Sequence, residues 1–111
     1  MNEDIKKYLE KYPIEIIDLF NILRQLIFES GINNIKETMW AKLPTYSVND
    51  KFIRLIPFKD HINIEASCII SYKEELVDYK ITPKGMLQMF VKQEILIETL
   101  KKVIVDTLTK K

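Results

Sequence analysis

The sequence predicts an α+β domain in which an antiparallel sheet of about five strands packs one face against terminal helices. Three observations predict this class. Apolar residues recur with a helical period in the first 30 residues and again near residue 100, and they alternate with a period of two in between. The other face of such a sheet is left to solvent or to a ligand. The length of 111 residues fits a single domain over residues 1–111.

The first third of the chain predicts two helices. Asn2 or Asp4 is suited to cap a first helix that runs through Lys11. Pro13 suits the first turn of a second helix, because its missing N–H is not needed there. The second helix carries an apolar stripe and ends at residues 30–31, where a glycine follows a serine.

The middle of the chain predicts strands. Residues 37–43 and 45–48 are extended segments separated by Pro44. Alternating patterns then surround a hairpin tip at residues 59–60 and a turn at residues 82–85. The strands predicted around these two turns are residues 52–56, 61–66, 79–81 and 86–90. Residues 69–77 predict a short helix, and residues 92–108 predict the last helix.

Composition excludes several classes of protein. The 17 Lys and Arg against 16 Asp and Glu give a net charge of +1, which argues against a dedicated nucleic-acid binder.

The single cysteine favours a reducing compartment, and residues 1–7 lack a signal-peptide pattern, so we expect a cytoplasmic protein. The sequence contains no run of about 18 apolar residues, so it predicts no membrane-spanning helix. We expect a monomer or a weak homodimer.

Catalytic patterns are incomplete. His61 and Cys68 are the single histidine and cysteine, and they lie roughly 20 Å apart along an extended chain. A Ser–His–Asp or Cys–His mechanism needs a nucleophile directly beside its base. The paired spacings of common zinc sites are also absent from the sequence. We therefore predict a protein that is not an enzyme, with Cys68 as a small buried residue.

Trp40, Tyr46 and Arg54 form a candidate aromatic and cationic site for an anionic or planar ligand. Lys42 is expected on the same strand face as Trp40, because the two residues are two positions apart. His61, on the polar face of its strand, and Glu37 are further candidate contacts. The alternative, which we favour for Trp40, is a core position, since most Trp residues in small domains are core.

Two candidate metal sites contain carboxylates. Glu15 and Asp18 share one face of the second helix, and hard cations such as iron prefer carboxylate oxygens. His61 and Glu65 share one face of a strand and offer a nitrogen and an oxygen. The alternative for both pairs is an ordinary solvated surface.

Three blocks of the sequence resemble the YdhG-like family of small bacterial proteins. Residues 59–62 are similar to its Lys–x–His–Ile strand start, and residues 79–85 to its Tyr–Lys–x–Ser/Thr–x–x–Gly turn. The third block of the family contains Glu, then Trp or Tyr, then Met-Pro, then Phe or Tyr. Glu37, Trp40, Pro44 and Tyr46 match these types in the same order. Leu43 replaces the usual Met, which leaves fine ligand specificity open.

The resemblance implies a frataxin-like α/β sandwich. One branch of the family is described as an intracellular iron chaperone that supplies haem or iron–sulfur assembly, so iron and iron-accepting proteins are the implied cargo and partners. The leading hypothesis is thus a non-enzymatic binding protein that carries iron. The alternative is a small-molecule or protein-partner binding module that uses the open sheet face around Trp40, Tyr46 and His61.

Overall fold

The computed structural model describes residues 1–110, and this range contains three α-helices, one 3₁₀ helix and six strands. The helices are α1 (Glu3–Leu9), α2 (Ile14–Phe28) and α3 (Ile97–Thr109), and the 3₁₀ helix covers Ile69–Tyr72. The strands are β1 (Lys36–Trp40), β2 (Leu43–Val48), β3 (Lys51–Pro57), β4 (His61–Ala66), β5 (Lys80–Ile81) and β6 (Leu87–Phe90). None of the helices in this range is long and apolar enough to span a membrane.

The strands form one antiparallel sheet in the order β1-β2-β3-β4-β6-β5, with β1 and β5 at its edges. The predicted α+β class with an antiparallel sheet is confirmed. The described range contains six strands rather than about five. The sequence pattern indicated extended segments on either side of Pro44. In the structure, the chain instead reverses before Pro44, and β1 and β2 are the two arms of a hairpin, which gives the additional strand.

The β1–β2 hairpin turns at Ala41 and Lys42. Both have positive φ, at 53° and 65°, which is the pattern of a two-residue type I′ turn. The Trp40–Leu43 pair closes this hairpin. By alternation, the backbone nitrogen and carbonyl of Pro44 point towards β3 rather than β1. The part of β2 that pairs with β3 begins only at Thr45, so no strand N–H is needed at Pro44. A strand can therefore contain proline at this position.

One face of the sheet is covered by α2 and α3. Ile53 and Leu55 of β3 face these helices across a narrow gap lined also by Leu23 of α2 and Val103 of α3. Helix α1 adds Ile5 and Leu9 to the same core cluster. A single core thus joins elements from both ends of the described chain, as expected for a two-layer domain.

We call the opposite side of the sheet the open face. The strand registers place on it the residues that alternate with the core positions. In β1, β2, β3, β4 and β6 these are Lys36, Thr38, Trp40, Leu43, Thr45, Ser47, Phe52, Arg54, Ile56, His61, Asn63, Glu65, Gln88 and Phe90.

Three helix predictions differ from the structure. Helix α1 ends at Leu9 rather than Lys11, and the chain tightens there into turns in which Glu10 N–H donates to Lys7 O and Tyr12 N–H donates to Leu9 O. The predicted helix 69–77 is only a 3₁₀ turn followed by further turns. Helix α3 begins at Ile97 rather than at residue 92. Before it, the Gln93 side chain accepts a 2.9 Å hydrogen bond from the Phe90 backbone N–H, and such local bonds compete with helix formation.

Candidate ligand-binding site on the open face

Trp40 is an exposed residue of the open face. Its exposed fraction is 60%, so the interpretation of Trp40 as a core residue is wrong. The guanidinium carbon of Arg54 lies 4.4 Å from the centroid of the indole ring. Because Trp40 is on β1 and Arg54 on β3, the indole leans over β2 and buries the side chain of Thr45 beneath it.

Arg54 is held from three sides. Its guanidinium lies 4.5 Å from the ring centroid of Phe52, so it fills the space between that ring and Trp40. Its Nη1 donates a 3.1 Å hydrogen bond to Glu65 Oε1 on the neighbouring strand. Only 13% of the Arg54 side chain is exposed. Its Nε is buried and finds no hydrogen-bond partner among residues 1–110.

A depression of about 320 Å³ lies beside this stack. It combines two aromatic rings, three aliphatic hydroxyls, one amide and three charged side chains. We call it the Trp40 depression; its lining is Thr38, Trp40, Thr45, Ser47, Asn49, Asp50, Lys51, Phe52 and Arg54. Its size is at the lower end of the range typical of small-molecule sites, which mix apolar walls with a few polar groups in this way.

Tyr46 and Glu37 lie on the opposite side of the sheet from Trp40. Tyr46 is completely buried among core residues. It therefore does not line a surface site with Trp40 and Arg54, and that expectation is wrong. Lys42 is exposed in the β1–β2 turn and is not part of the lining.

Glu37 ties three elements together. Its Oε2 accepts a 2.5 Å hydrogen bond from Arg24 Nε on α2, and its Oε1 accepts a 2.9 Å bond from the Asn2 backbone N–H at the start of α1. Burial alone raises the pKa of this carboxyl, but the bonds from Arg24 and Asn2 outweigh burial and hold the pKa below its usual value. The contacts of Glu37 are therefore structural, and they face away from the open face.

His61 lies at a separate place on the open face. Its ring is stacked between Phe58 and Phe90, at centroid distances of 4.5 and 4.8 Å. Its Nδ1 lies 2.7 Å from Asp60 Oδ1, and 15% of its side chain is exposed. The structure does not bring His61 into the lining of the Trp40 depression.

The predicted metal ligands are not gathered into one cluster. Glu15 and Asp18 are exposed on α2, and Glu65 is bonded to Arg54. His61 and Glu65 are four residues apart on one strand, which is about 13 Å. Within residues 1–110, no three His, Cys, Asp or Glu side chains are placed to share a metal ion. Iron binding remains a prediction from the resemblance.

The sequence interpretation missed Phe52 and the hydroxyl residues of β1 and β2. The signal for Phe52 was present, because it is two residues from Arg54 and alternation places both on one face. Thr38 and Ser47 carry no such signal, since their role depends on the register of the β1–β2 hairpin. Cys68 is buried, as predicted, and its backbone N–H donates to Thr107 Oγ1 at 3.3 Å.

Comparison with known proteins leaves the family undecided. No family model, curated protein or solved structure matches this chain. The resemblance to the YdhG-like family, and the frataxin-like sandwich and iron role that it implies, therefore stay predictions.

Proposed function

We propose that this protein is a non-enzymatic binding module that holds a small ligand in the Trp40 depression. One observation carries the proposal: the single tryptophan of the chain is 60% exposed on a sheet face that none of the helices in residues 1–110 covers, directly beside a depression of about 320 Å³. A large exposed aromatic ring next to convergent polar groups is characteristic of a recognition site.

The site is arranged before any ligand arrives. Glu65 and the two flanking rings fix the guanidinium of Arg54, and the same stack supports one side of Trp40. Ordering a long flexible side chain on binding costs about 0.5–1.5 kcal/mol. A ligand that contacts Arg54 here avoids much of that cost, which favours a binding role for these residues.

The side chains of the depression support binding rather than catalysis. Nucleophilic catalysis requires a hydroxyl beside a general base. The hydroxyl of Thr45 instead donates a 3.0 Å hydrogen bond to the backbone oxygen of Leu43. The one histidine of the chain is held between two phenylalanine rings elsewhere on the open face.

Iron carriage is kept as a separate proposal that rests on the resemblance alone. Anaerobic calorimetric titration with ferrous iron tests it, using the wild type and Asp18→Ala. Heat of binding that is reduced in the variant supports an iron site on α2. The absence of binding heat in both proteins at micromolar concentration contradicts it.

Screening the full chain against a set of small polar and aromatic fragments tests the proposed binding site. We expect fragments that bind to shift the backbone amide signals of Thr38, Ser47 and Asn49 in ¹H–¹⁵N spectra. Trp40→Ala should abolish these shifts, because it removes the main wall of the depression.

Phe58→Ala is the matched control. Phe58 is also an exposed aromatic residue at the open face, but it stacks on His61 and does not line the Trp40 depression. This variant should bind the fragments as the wild type does. Fragments that bind only to the helical side of the molecule, or equal losses in both variants, would contradict the proposal.

A further inference from the structure

We infer that the ligand of the Trp40 depression is an uncharged ring that carries hydroxyl groups, that is, a sugar. This inference rests on the proposed function and specifies the chemistry of its ligand. Three features of the lining support it: paired charges, a single free aromatic face, and hydroxyl groups in the floor.

The charges of the depression cancel one another. Lys51 Nζ lies 3.5 Å from Asp50 Oδ1, and Arg54 Nη1 lies 3.1 Å from Glu65 Oε1. Each of the two cations of the lining is thus paired with an acid, Lys51 with Asp50 of the lining and Arg54 with Glu65 on the neighbouring strand, so neither is free to attract an anion.

An anionic ligand at Arg54 would lie close to an existing acid. The guanidinium is already bonded to Glu65 Oε1 through Nη1, and its side chain is only 13% exposed. A carboxylate or phosphate that bonds to the remaining N–H groups is repelled by Glu65, because the two negative charges then lie on either side of one small, largely buried cation. The ion pairs therefore favour a neutral ligand, whose hydroxyls can bond to these charged groups without breaking the pairs.

The aromatic geometry leaves one face of Trp40 for the ring of a ligand. The guanidinium of Arg54 lies against both Trp40 and Phe52, so a planar base cannot be inserted between the two rings and gains no sandwich stacking there. The exposed indole presents an electron-rich face, which attracts C–H groups that carry partial positive charge. One side of a pyranose ring presents such a set of C–H groups.

The polar lining matches alcohol groups. The hydroxyls of Thr38 and Ser47 can both donate and accept, as can the amide of Asn49. Sugar hydroxyls have the same double capacity, so each can satisfy a donor and an acceptor of the lining. The Thr45 hydroxyl is buried and already donates to the Leu43 backbone oxygen, so it is not counted among these groups.

Titration of the full chain with matched probes tests the inference, with Trp40 emission as the readout, because this residue is the single tryptophan. The neutral probes are the methyl glycosides of glucose, galactose, mannose and N-acetylglucosamine. Methyl glucuronide replaces the CH₂OH group of methyl glucoside by a carboxylate, benzoate is a planar anion, and adenine is a neutral planar base without a sugar. We expect at least one glycoside to bind with saturation at millimolar concentration, and its anionic counterpart to bind no more tightly.

Two further measurements sharpen the test. Affinity for the glycoside should be insensitive to sodium chloride, because no net charge is paired on binding. Trp40→Phe, followed by ¹H–¹⁵N spectra, should weaken glycoside binding by about tenfold or less, whereas Trp40→Ala should weaken it by more than about tenfold. Phe58→Ala should leave the affinity unchanged.

The possible failures are distinguishable. Saturable binding of benzoate, methyl glucuronide or adenine at Thr38 and Ser47, with no binding of any neutral glycoside, overturns the sugar inference and leaves the binding module intact. If no probe and no screened fragment perturbs Trp40 or its neighbours, both the inference and the proposed function are overturned.

Discussion

At the scale of single residues, Glu37 is the clearest determinant of stability. Replacing Glu37 with Gln removes the charge that faces Arg24 while keeping the shape of the side chain. We expect the free energy of unfolding to fall by about 1–3 kcal/mol near neutral pH, because the Arg24 guanidinium loses a charged partner. Urea denaturation followed by far-UV circular dichroism measures this loss.

The stability lost in Glu37→Gln should decrease at acidic pH. The pKa of Glu37 is lowered in the folded protein, so its stabilisation is complete above the ordinary glutamate pKa of about 4.3. It is lost as the pH falls through the lower, folded value. The difference between wild type and Glu37→Gln should therefore be constant above about pH 5 and shrink below it. Glu15→Gln, on the exposed surface of α2, is the control and should show little difference at either pH.

Trp40 offers a direct optical check of the site. Because 60% of the residue is exposed, acrylamide should quench its fluorescence nearly as well as it quenches a free indole. Arg54→Ala should increase the quenching further, since it uncovers the second face of the ring. Blue emission that resists the quencher would contradict the placement of Trp40 on the open face.

The faces of Trp40 and Tyr46 show why part of the site could not be predicted. In one continuous strand, residues six positions apart lie on the same side. A two-residue turn instead pairs Trp40 with Leu43 on one side, and Tyr46, three positions after Leu43, then faces the core. The sequence Ala41-Lys42 lacks the Asn-Gly or Asp-Gly signal that normally marks such a turn. Arg54 lies in a strand without such an interruption, so alternation alone indicates its face.

At the scale of elements, the β1–β2 turn is strained. Ala41 and Lys42 both adopt positive φ without being glycine or asparagine, and this conformation costs about 1–2 kcal/mol for an ordinary residue. The double variant Ala41→Asn with Lys42→Gly should raise the free energy of unfolding by about 1 kcal/mol or more. Urea denaturation of both proteins measures the gain.

Lys59→Gly is the control for that prediction. Lys59 lies in the β3–β4 turn and is not among the residues with positive φ in the described range. Glycine there should give no gain, because it only adds freedom to the unfolded chain. A turn variant that is no more stable than wild type would show that the hairpin does not store this strain.

Periodic elements were predicted well, and aperiodic ones were not. Strands β3 and β4 follow from simple alternation, and α2 follows from its apolar stripe and the glycine at residue 31, whose φ is 86°. Residues 73–78 and 91–96 carry buried or partly buried apolar residues without forming regular elements. Their backbone conformation is set by turns and side-chain bonds, which leave no period in the sequence.

At the scale of the whole molecule, the short α1 is part of the central core. Ile5 is completely buried, so Ile5→Ala should reduce the free energy of unfolding by about 2–5 kcal/mol. That is a large share of the roughly 5–15 kcal/mol that stabilises a typical domain. Ile14→Ala is the matched control, because Ile14 is 62% exposed and its loss should change stability by about 0.5 kcal/mol or less. A small effect of Ile5→Ala would show that α1 is only loosely attached.

The attachment of α1 has a consequence for how the chain behaves in a crowded solution. By alternation, the backbone of Glu37 points away from β2, towards the free margin of the sheet. Asn2 Nδ2 lies 3.4 Å from the Glu37 carbonyl oxygen at that margin. The start of the chain thus occupies a position where a strand from another molecule would otherwise pair, and β5, at the opposite margin, offers only two residues. Both margins therefore offer few free backbone groups to a strand from another molecule, which is how sheet proteins commonly limit edge-to-edge association.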